Sequence, residues 1–246
     1  SKTNNAVLNN VNFRKAISYS IDREAIIKAV IKKGDPATRY VPSNIMGLND
    51  KFSKENPLEV INAKADQAKA KEYFEKALKE LNLTADKFPT IKLLGADTAS
   101  ARSYCEAVQD AILKSIGVKL ELVNVPSKQR LQLVNQRDYE MVYANWFPDY
   151  DDPMTYLDIW VTGGGFNRSD YSNPKYDAAI KEAKAATDEK VRQQKMFEAE
   201  QMLLEDIPVI PSHWGANAYV QSDKLVNYVR SLVGADPDLT YVDLKE

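Results

Sequence analysis

The segment Tyr143-Ala144-Asn145-Trp146-Phe147-Pro148-Asp149-Tyr150-Asp151-Asp152-Pro153 concentrates the groups that could do chemistry in this chain of 246 residues. An apolar stretch runs into two aromatics and then into three carboxylates. Asp152 before Pro153 reads as a helix N-cap followed by proline at the first helical position. Asp151 reads as solvated. Asp149 differs, because Trp146, Phe147 and Pro148 precede it and would shield one side from water. A carboxylate held there among like charges is costly unless a cation arrives. That cation is either the ammonium group of a ligand or an internal Lys or Arg, and chemistry alone leaves both open.

Other signatures fail on their own terms. Counting from Asp149 as a calcium loop puts Pro153 fifth, Met154 sixth where glycine belongs, and Trp160 twelfth where glutamate belongs. Gly163-Gly164-Gly165 leads to Phe166-Asn167-Arg168 without Gly-Lys-Ser/Thr, so it reads as a tight or mobile loop and not a phosphate cradle. Ser212-His213 has no nucleophile elbow, and neighbours on a strand point to opposite faces. His213 reads as structural or ligand-lining. Cys105 lies on the apolar face of a helix and reads as a buried, inert thiol. Asn82-Leu83-Thr84 and Asn167-Arg168-Ser169 match the glycosylation acceptor, a pattern too short to be specific. A carboxylate-based hydrolase would need a second acid at a defined spacing from Asp149, and none is named by the sequence.

Composition narrows the field further. Lys and Arg number 33 against 35 Asp and Glu, a formal charge of −2. No basic excess exists to neutralise a phosphate backbone, so a nucleic-acid partner is not expected. One cysteine and one histidine exclude a disulfide framework, a Cys-rich zinc site and a multi-His metal centre; no cofactor is expected. No apolar run reaches the roughly 18 residues of a membrane span. Ser1 to Asn10 is polar and unlike a signal peptide, although a processed or truncated chain would begin in the same way.

The elements that must position these groups follow from periodicity. Phe13, Ala16, Ile17 and Ile21 mark one face of a first helix. Asp22 caps a second, a Pro- and Asn-rich loop covers 35–57, and a third helix runs over about 65–81. An alternation of strand and helix follows: a strand at 91–94, a helix at 100–116 ended by Gly117, and a strand at 118–125. Next come a helix capped by Ser127 and reaching Gln136, and a strand at 139–145. Helices are predicted at 153–160, 173–186 and 188–206, then strand candidates within 209–226 broken by Pro211 and Gly215. Short connections between alternating elements argue for one α/β domain over 1–246, a mixed sheet covered by helices on both faces.

The same residues carry a family resemblance. Phe13-Arg14-Lys15-Ala16-Ile17-Ser18-Tyr19-Ser20-Ile21-Asp22-Arg23 resembles the Arg-x-Ala…Ile-Asp-Arg stretch of the family 5 extracellular solute-binding proteins, the peptide and nickel receptors of ABC importers. Trp146-x-x-Asp149-Tyr150-x-Asp152-Pro153 is similar to their Trp-x-x-Asp-Tyr-x-x-Pro segment. Tyr171 to Asp177 and Ile207-Pro208-Val209-Ile210-Pro211 fit in order and spacing, so the motifs span most of the chain.

The resemblance implies a single lobe of the type II periplasmic-binding-protein-like fold. It is the second, C-terminal lobe of a two-lobe receptor, about half of the whole, with the first lobe missing. It implies a binding protein and not an enzyme, located outside the cytoplasm as a cell-surface lipoprotein or in a periplasm. Its partners would be short peptides and the permease subunits of an ABC importer. In peptide-binding members the Asp of the motif pairs with the ligand's α-amino group; Asp149, followed by Tyr150, matches it. Tyr143, Ala144 and Asn145 match residues that contact the peptide main chain by strand addition, and Trp146 matches a pocket aromatic. His213 and Trp214 fall where the family places ligand-facing aromatics. A nickel chelate or an oligosaccharide is the alternative cargo, although one His leaves directly coordinated nickel short of ligands.

Overall fold

The computed structural model describes residues 5–58, 61–216, 218–230 and 239–245. Its helices are α1 (Ala6–Asn9), α2 (Val11–Ser20), α3 (Arg23–Ile26, running into a π-turn over Ile27–Ile31), α4 (Phe52–Glu55) and α5 (Gln67–Leu81). They continue with α6 (Ala99–Ile116), α7 (Ser127–Asn135), α8 (Met154–Leu157), α9 (Pro174–Ala185) and α10 (Glu189–Asp206). The strands are β1 (Asp35–Pro36), β2 (Ile91–Ala96), β3 (Leu120–Val125), β4 (Met141–Val142), β5 (His213–Trp214), β6 (Leu225–Val226) and β7 (Asp243–Leu244).

Side-chain oxygens start most of the long helices. Asp22, Asp66, Thr98, Asn173 and Asp188 each accept a backbone N–H from the first turn that follows, satisfying donors that no helical carbonyl can reach. Gly117 ends α6 at φ 73°, a conformation that glycine adopts without strain. Ser127 is not a cap as the sequence suggested. It is the first helical residue, and Pro126, with no side-chain oxygen, occupies the cap position. The predicted helix over 153–160 divides into α8 and a 3-10 turn at Asp158–Trp160.

The central sheet has the order β3-β2-β4 and is wholly parallel, in register from Ile91 opposite Leu120 to Ala96 opposite Val125. The expected mixed sheet is therefore corrected. The antiparallel pairs, β1–β5 and β6–β7, form separate two-stranded ribbons. Helix α6 packs on β2 and β3, and α7, with Val134 fully buried, lies against β2. In the β1–β5 ribbon the chain before Asp35 passes so close that a Cβ on Gly34 would stand 2.1 Å from the Trp214 carbonyl oxygen. With φ at +88°, that position requires glycine.

The core gathers in two clusters. The first holds Phe13, Ile17, Phe74, Ile91, Leu93 and Ile112 from α2, α5, β2 and α6. The second holds Val41, Phe52, Leu157, Tyr176, Ile180 and Leu203, mainly from α8, α9 and α10. Inside the second, Glu200 is fully buried; it pairs with Arg39 and accepts the backbone N–H groups of Tyr40 (3.1 Å) and Val41 (2.8 Å).

Two arginines of the N-terminal motif tie the clusters together. Arg14 donates to the carbonyls of Asp206 (2.7 Å) and Ile207 (2.9 Å) at the end of α10. Arg23, 2% exposed, donates to the carbonyls of Pro211 (2.8 Å) and Asn62 (3.0 Å) and to the Ser18 hydroxyl (2.9 Å). Burial draws its guanidinium down to about 10, still charged at neutral pH. Arg23→Met should therefore strand several buried carbonyls and cost about 2–4 kcal/mol of stability. Asp22→Ala, which removes only an exposed cap, should cost about 0.5–2 kcal/mol. Urea unfolding midpoints for the two variants test this ranking, and an equal loss would contradict it.

Candidate functional site

The predicted site residues gather where the parallel strands end, the edge at which open α/β sheets bind ligands. Strand β4 stops at Val142, three residues short of the expected end at Asn145. Tyr143 makes one more ladder bond, its N–H to the Leu94 carbonyl at 2.9 Å. Beyond that, β2 continues along β3 to Ala96, with the Asp97 N–H donating to the Val125 carbonyl (2.9 Å), while the chain after Tyr143 makes no further bond to it. Ala144 and Asn145 are exposed. Among the described residues, the main-chain groups of residues 144–148 take no hydrogen bond within the protein.

Tyr143 itself departs from the expected template. Its N–H is spent on Leu94, and its carbonyl receives Arg130 Nη1 at 3.3 Å. Its ring is what it presents: stacked on Tyr104 at 4.2 Å and 20°, with the His213 ring 6.5 Å away. Burial beside Tyr104 pushes the Tyr143 phenol up to about 12, so it is a neutral hydroxyl at any physiological pH.

The carboxylate cluster separates into three roles. Asp152 accepts the Met154 N–H at 2.8 Å and holds Arg192 with both oxygens at 2.8 Å. Pro153, expected as the first helical residue, occupies the cap position of α8; Asp152 stands one residue before it, holding the first helical N–H and half of an ion pair. Asp151 is exposed, as expected, near the Met46 N–H at 3.5 Å. Asp149 is exposed too, which corrects the expectation of partial dehydration. Phe147 is 75% exposed and does not cover it, while Trp146 packs edge-on against Phe166 at 5.1 Å. The Asp149 N–H donates to the Thr155 hydroxyl (3.3 Å). Among the described residues no Lys or Arg pairs with the Asp149 carboxylate, and Arg192, the cation within reach of this cluster, is taken by Asp152. Tyr150 is exposed beside the same charges.

His213 and Trp214 form β5. Trp214 meets Tyr156 edge-on at 6.3 Å. Ser212 Oγ lies 3.0 Å from His213 Nδ1 and shares a short hydrogen bond with the Tyr104 hydroxyl. The expectation that Ser212 points away from His213 is overturned. Ser212 precedes the strand, so alternation does not govern it, and Tyr104 holds its hydroxyl in place. Tyr104 was legible only as a core residue of its helix, and it serves both as core and as anchor. Arg130 was not singled out, because a lone Arg on a helix looks the same as a solvated one.

Two further expectations resolve here. Asn167 is 1% exposed and donates to the carbonyls of Trp160, Val161 and Tyr171. It staples the Gly163–Gly165 turn and is no glycosylation acceptor. Cys105 is fully buried, and burial pushes its thiol up to about 11. Among the described residues no three His, Cys, Asp or Glu side chains are placed to hold a metal ion, and no helix is long and apolar enough to cross a membrane.

Burial lowers the His213 pKa below its ordinary value near 6.5. The fold therefore favours the neutral ring, and this contribution to stability is complete above about pH 6.5 and lost as pH falls through the folded value. Melting temperatures between pH 8 and 5 should drop more steeply for the native chain than for His213→Gln. Parallel curves would remove His213 from the acid-sensitive groups.

Comparison with known proteins agrees with this architecture. The family described as "Bacterial extracellular solute-binding proteins, family 5 Middle" matches residues 2–168. The dipeptide-binding protein DppE of Bacillus subtilis is 32% identical over 96% of this chain and 42% of its own length. The oligopeptide-binding protein OppA of Bacillus subtilis is 32% identical over 89% of this chain and 39% of its own. Among solved structures, Listeria monocytogenes OppA bound to peptide superposes with a TM-score of 0.84 at 33% identity, over 98% of this chain and 46% of that one. An oligopeptide ABC transporter substrate-binding domain from Bacillus anthracis gives 0.85 at 31%, over 96% and 46%. The chain spans about two fifths of the length of the curated relatives it matches. Its fold is that of these periplasmic and extracellular peptide-binding proteins, and the chain belongs to the bacterial extracellular solute-binding proteins of family 5.

Proposed function

We propose that this chain is the second lobe of a peptide receptor that supplies an ABC importer, and that it binds short peptides without chemically altering them. The observation that carries the reading is Asp149: an exposed carboxylate without an internal cation among the described residues, one step beyond a main-chain stretch that makes no hydrogen bonds of its own. A peptide presents the complement of both, an ammonium group and a row of N–H and C=O groups identical in every sequence. Pairing through the main chain supplies affinity without side-chain preference. Proteins similar to this chain carry peptide-binding names, which favours peptide over a nickel chelate or an oligosaccharide.

In this reading Asp149 receives the peptide's α-amino group, Ala144 and Asn145 pair with its main chain, and Trp146, Tyr150 and Trp214 line the surroundings. Tyr143 contributes its ring, with His213 beside it. In this reading a first lobe closes over the ligand. Closure removes water from Asp149 and so strengthens a pairing that is weak on the open lobe. The protein works outside the cytoplasm, lipid-anchored or free in a periplasm, and hands its cargo to permease subunits.

The test uses the full-length receptor. Asp149→Ala should cost about 2–5 kcal/mol of peptide affinity by calorimetry, and acetylation of the peptide's amino terminus should weaken binding to a similar degree. Native mass spectrometry of the purified receptor should reveal co-bound peptides. Equal affinity for free and acetylated peptides would discard the role of Asp149, and turnover of the peptide would discard the non-enzymatic reading.

A further inference from the structure

The His213 ring is tied to the rest of the fold through one hydroxyl. Ser212 Oγ lies 3.0 Å from His213 Nδ1 and shares a short hydrogen bond with the Tyr104 hydroxyl. Three groups that can each donate or accept thus stand in a line. How their protons are shared decides what the imidazole offers to a ligand. Tyr104 fixes the direction at one end. It is 6% exposed, and among the described residues its hydroxyl bonds to Ser212 alone. If Ser212 donated to Tyr104, the phenol proton would be left buried without an acceptor, which is destabilising. Tyr104 therefore donates and Ser212 accepts. The single proton of Ser212 then finds one acceptor among the described side chains, His213 Nδ1.

We propose that Tyr104 and Ser212 are positioning residues that hold neutral His213 in the tautomer with its proton on Nε2, so that the ring meets a ligand as a hydrogen-bond donor. Nδ1, occupied as an acceptor, cannot carry the proton. Burial favours the neutral ring, and among the described residues no carboxylate bonds to it. Nε2 makes no hydrogen bond among the described residues, and His213 is partly exposed. The rings of Tyr104 and Tyr143 stand 5.8 and 6.5 Å from the imidazole. Pro36, opposite His213 on β1, has no N–H to offer it. The ligand group that fits a fixed donor is an acceptor. On a peptide main chain that group is a carbonyl and not an N–H, so His213 sets which of the two alternating backbone groups faces it. The identity of this acceptor rests on the peptide-binding reading; the tautomer does not.

The test uses the full-length receptor labelled with 15N-histidine, the His213 signals being those absent from His213→Gln. At neutral pH the proton–nitrogen couplings should show Nε2 protonated and Nδ1 bare. Ser212→Ala, which removes the donor to Nδ1, should give a mixture of both tautomers. So should Tyr104→Phe, which keeps the ring and its stack on Tyr143 but frees the Ser212 hydroxyl to turn. Ser212→Thr, which keeps the hydroxyl, should preserve the single tautomer. In calorimetry with alanine peptides of two to six residues, Ser212→Ala and Tyr104→Phe should each bind about 3- to 10-fold more weakly than wild type, with Ser212→Thr at the wild-type level. Melting temperatures establish that each variant is folded. A proton on Nδ1 in the wild type, or a single unchanged tautomer in Ser212→Ala, overturns the positioning role. The expected tautomers with undiminished peptide affinity in both weakened variants overturn the contact between His213 and the peptide. Sensitivity to amino-terminal acetylation in the same samples would show the peptide-binding reading standing apart from either failure.

Discussion

A charge buried without a counter-charge organises this fold. Arg23 is enclosed, and the oxygens it bonds are neutral: the carbonyls of Pro211, Asn62 and Ser18 and the hydroxyl of Ser18. Removing a guanidinium from water is costly, and only a full set of acceptors offsets it. Those acceptors come from three separated parts of the chain, so the arginine dictates where each must lie. Arg14 repeats the device nine residues earlier, on the carbonyls that close α10. There Ile207 adopts φ 41°, an unfavourable left-handed conformation for a β-branched residue. It persists because Arg14 and the enclosing core fix the carbonyls on either side.

The site depends on that arrangement at one remove. Pro211, held by Arg23, leads to Ser212 and His213. Ser212 reaches the Tyr104 hydroxyl, and Tyr104 stacks on Tyr143. The edge of the parallel sheet and the β1–β5 ribbon, which belong to different parts of the chain, are thereby brought together. The segment that follows Tyr143 ends in the carboxylate cluster. Asp152 and Arg192 neutralise each other and anchor the start of α8, which leaves Asp149 to solvent.

Much of the fold was legible because local chemistry and tertiary demand coincide. Asp22, Asp66, Asn173 and Asp188 sit where a helix must begin, Gly117 where one must end, and the apolar faces of α2, α5 and α6 point where their periodicity says. The expected strand over 139–145 is longer than the observed one, because its length is set by how far the chain stays paired with β2, which ends at Tyr143, and not by its own residues. Ser127 looked like a cap and is not one, since Pro126 takes the position with its fixed φ. Asp149 stays in water for a related reason: three apolar neighbours in sequence need not cover it in space, and Phe147 points into solvent. The site was readable as a motif, while the partners that shape it were not. Tyr104 and Arg130 lie about 45 and 19 residues before Asp149, and nothing in a linear reading brings them together with Tyr143.

The Arg14 bonds join residues 193 apart in sequence, and those of Arg23 span 188. Contacts of such separation carry a large loop-closure cost before they contribute stability, which slows folding. During N-to-C synthesis the motif helix emerges nearly two hundred residues before the carbonyls that complete its surroundings. This core therefore cannot be finished piecemeal as it is made: the two arginines wait, incompletely enclosed, for carbonyls that follow much later in the chain.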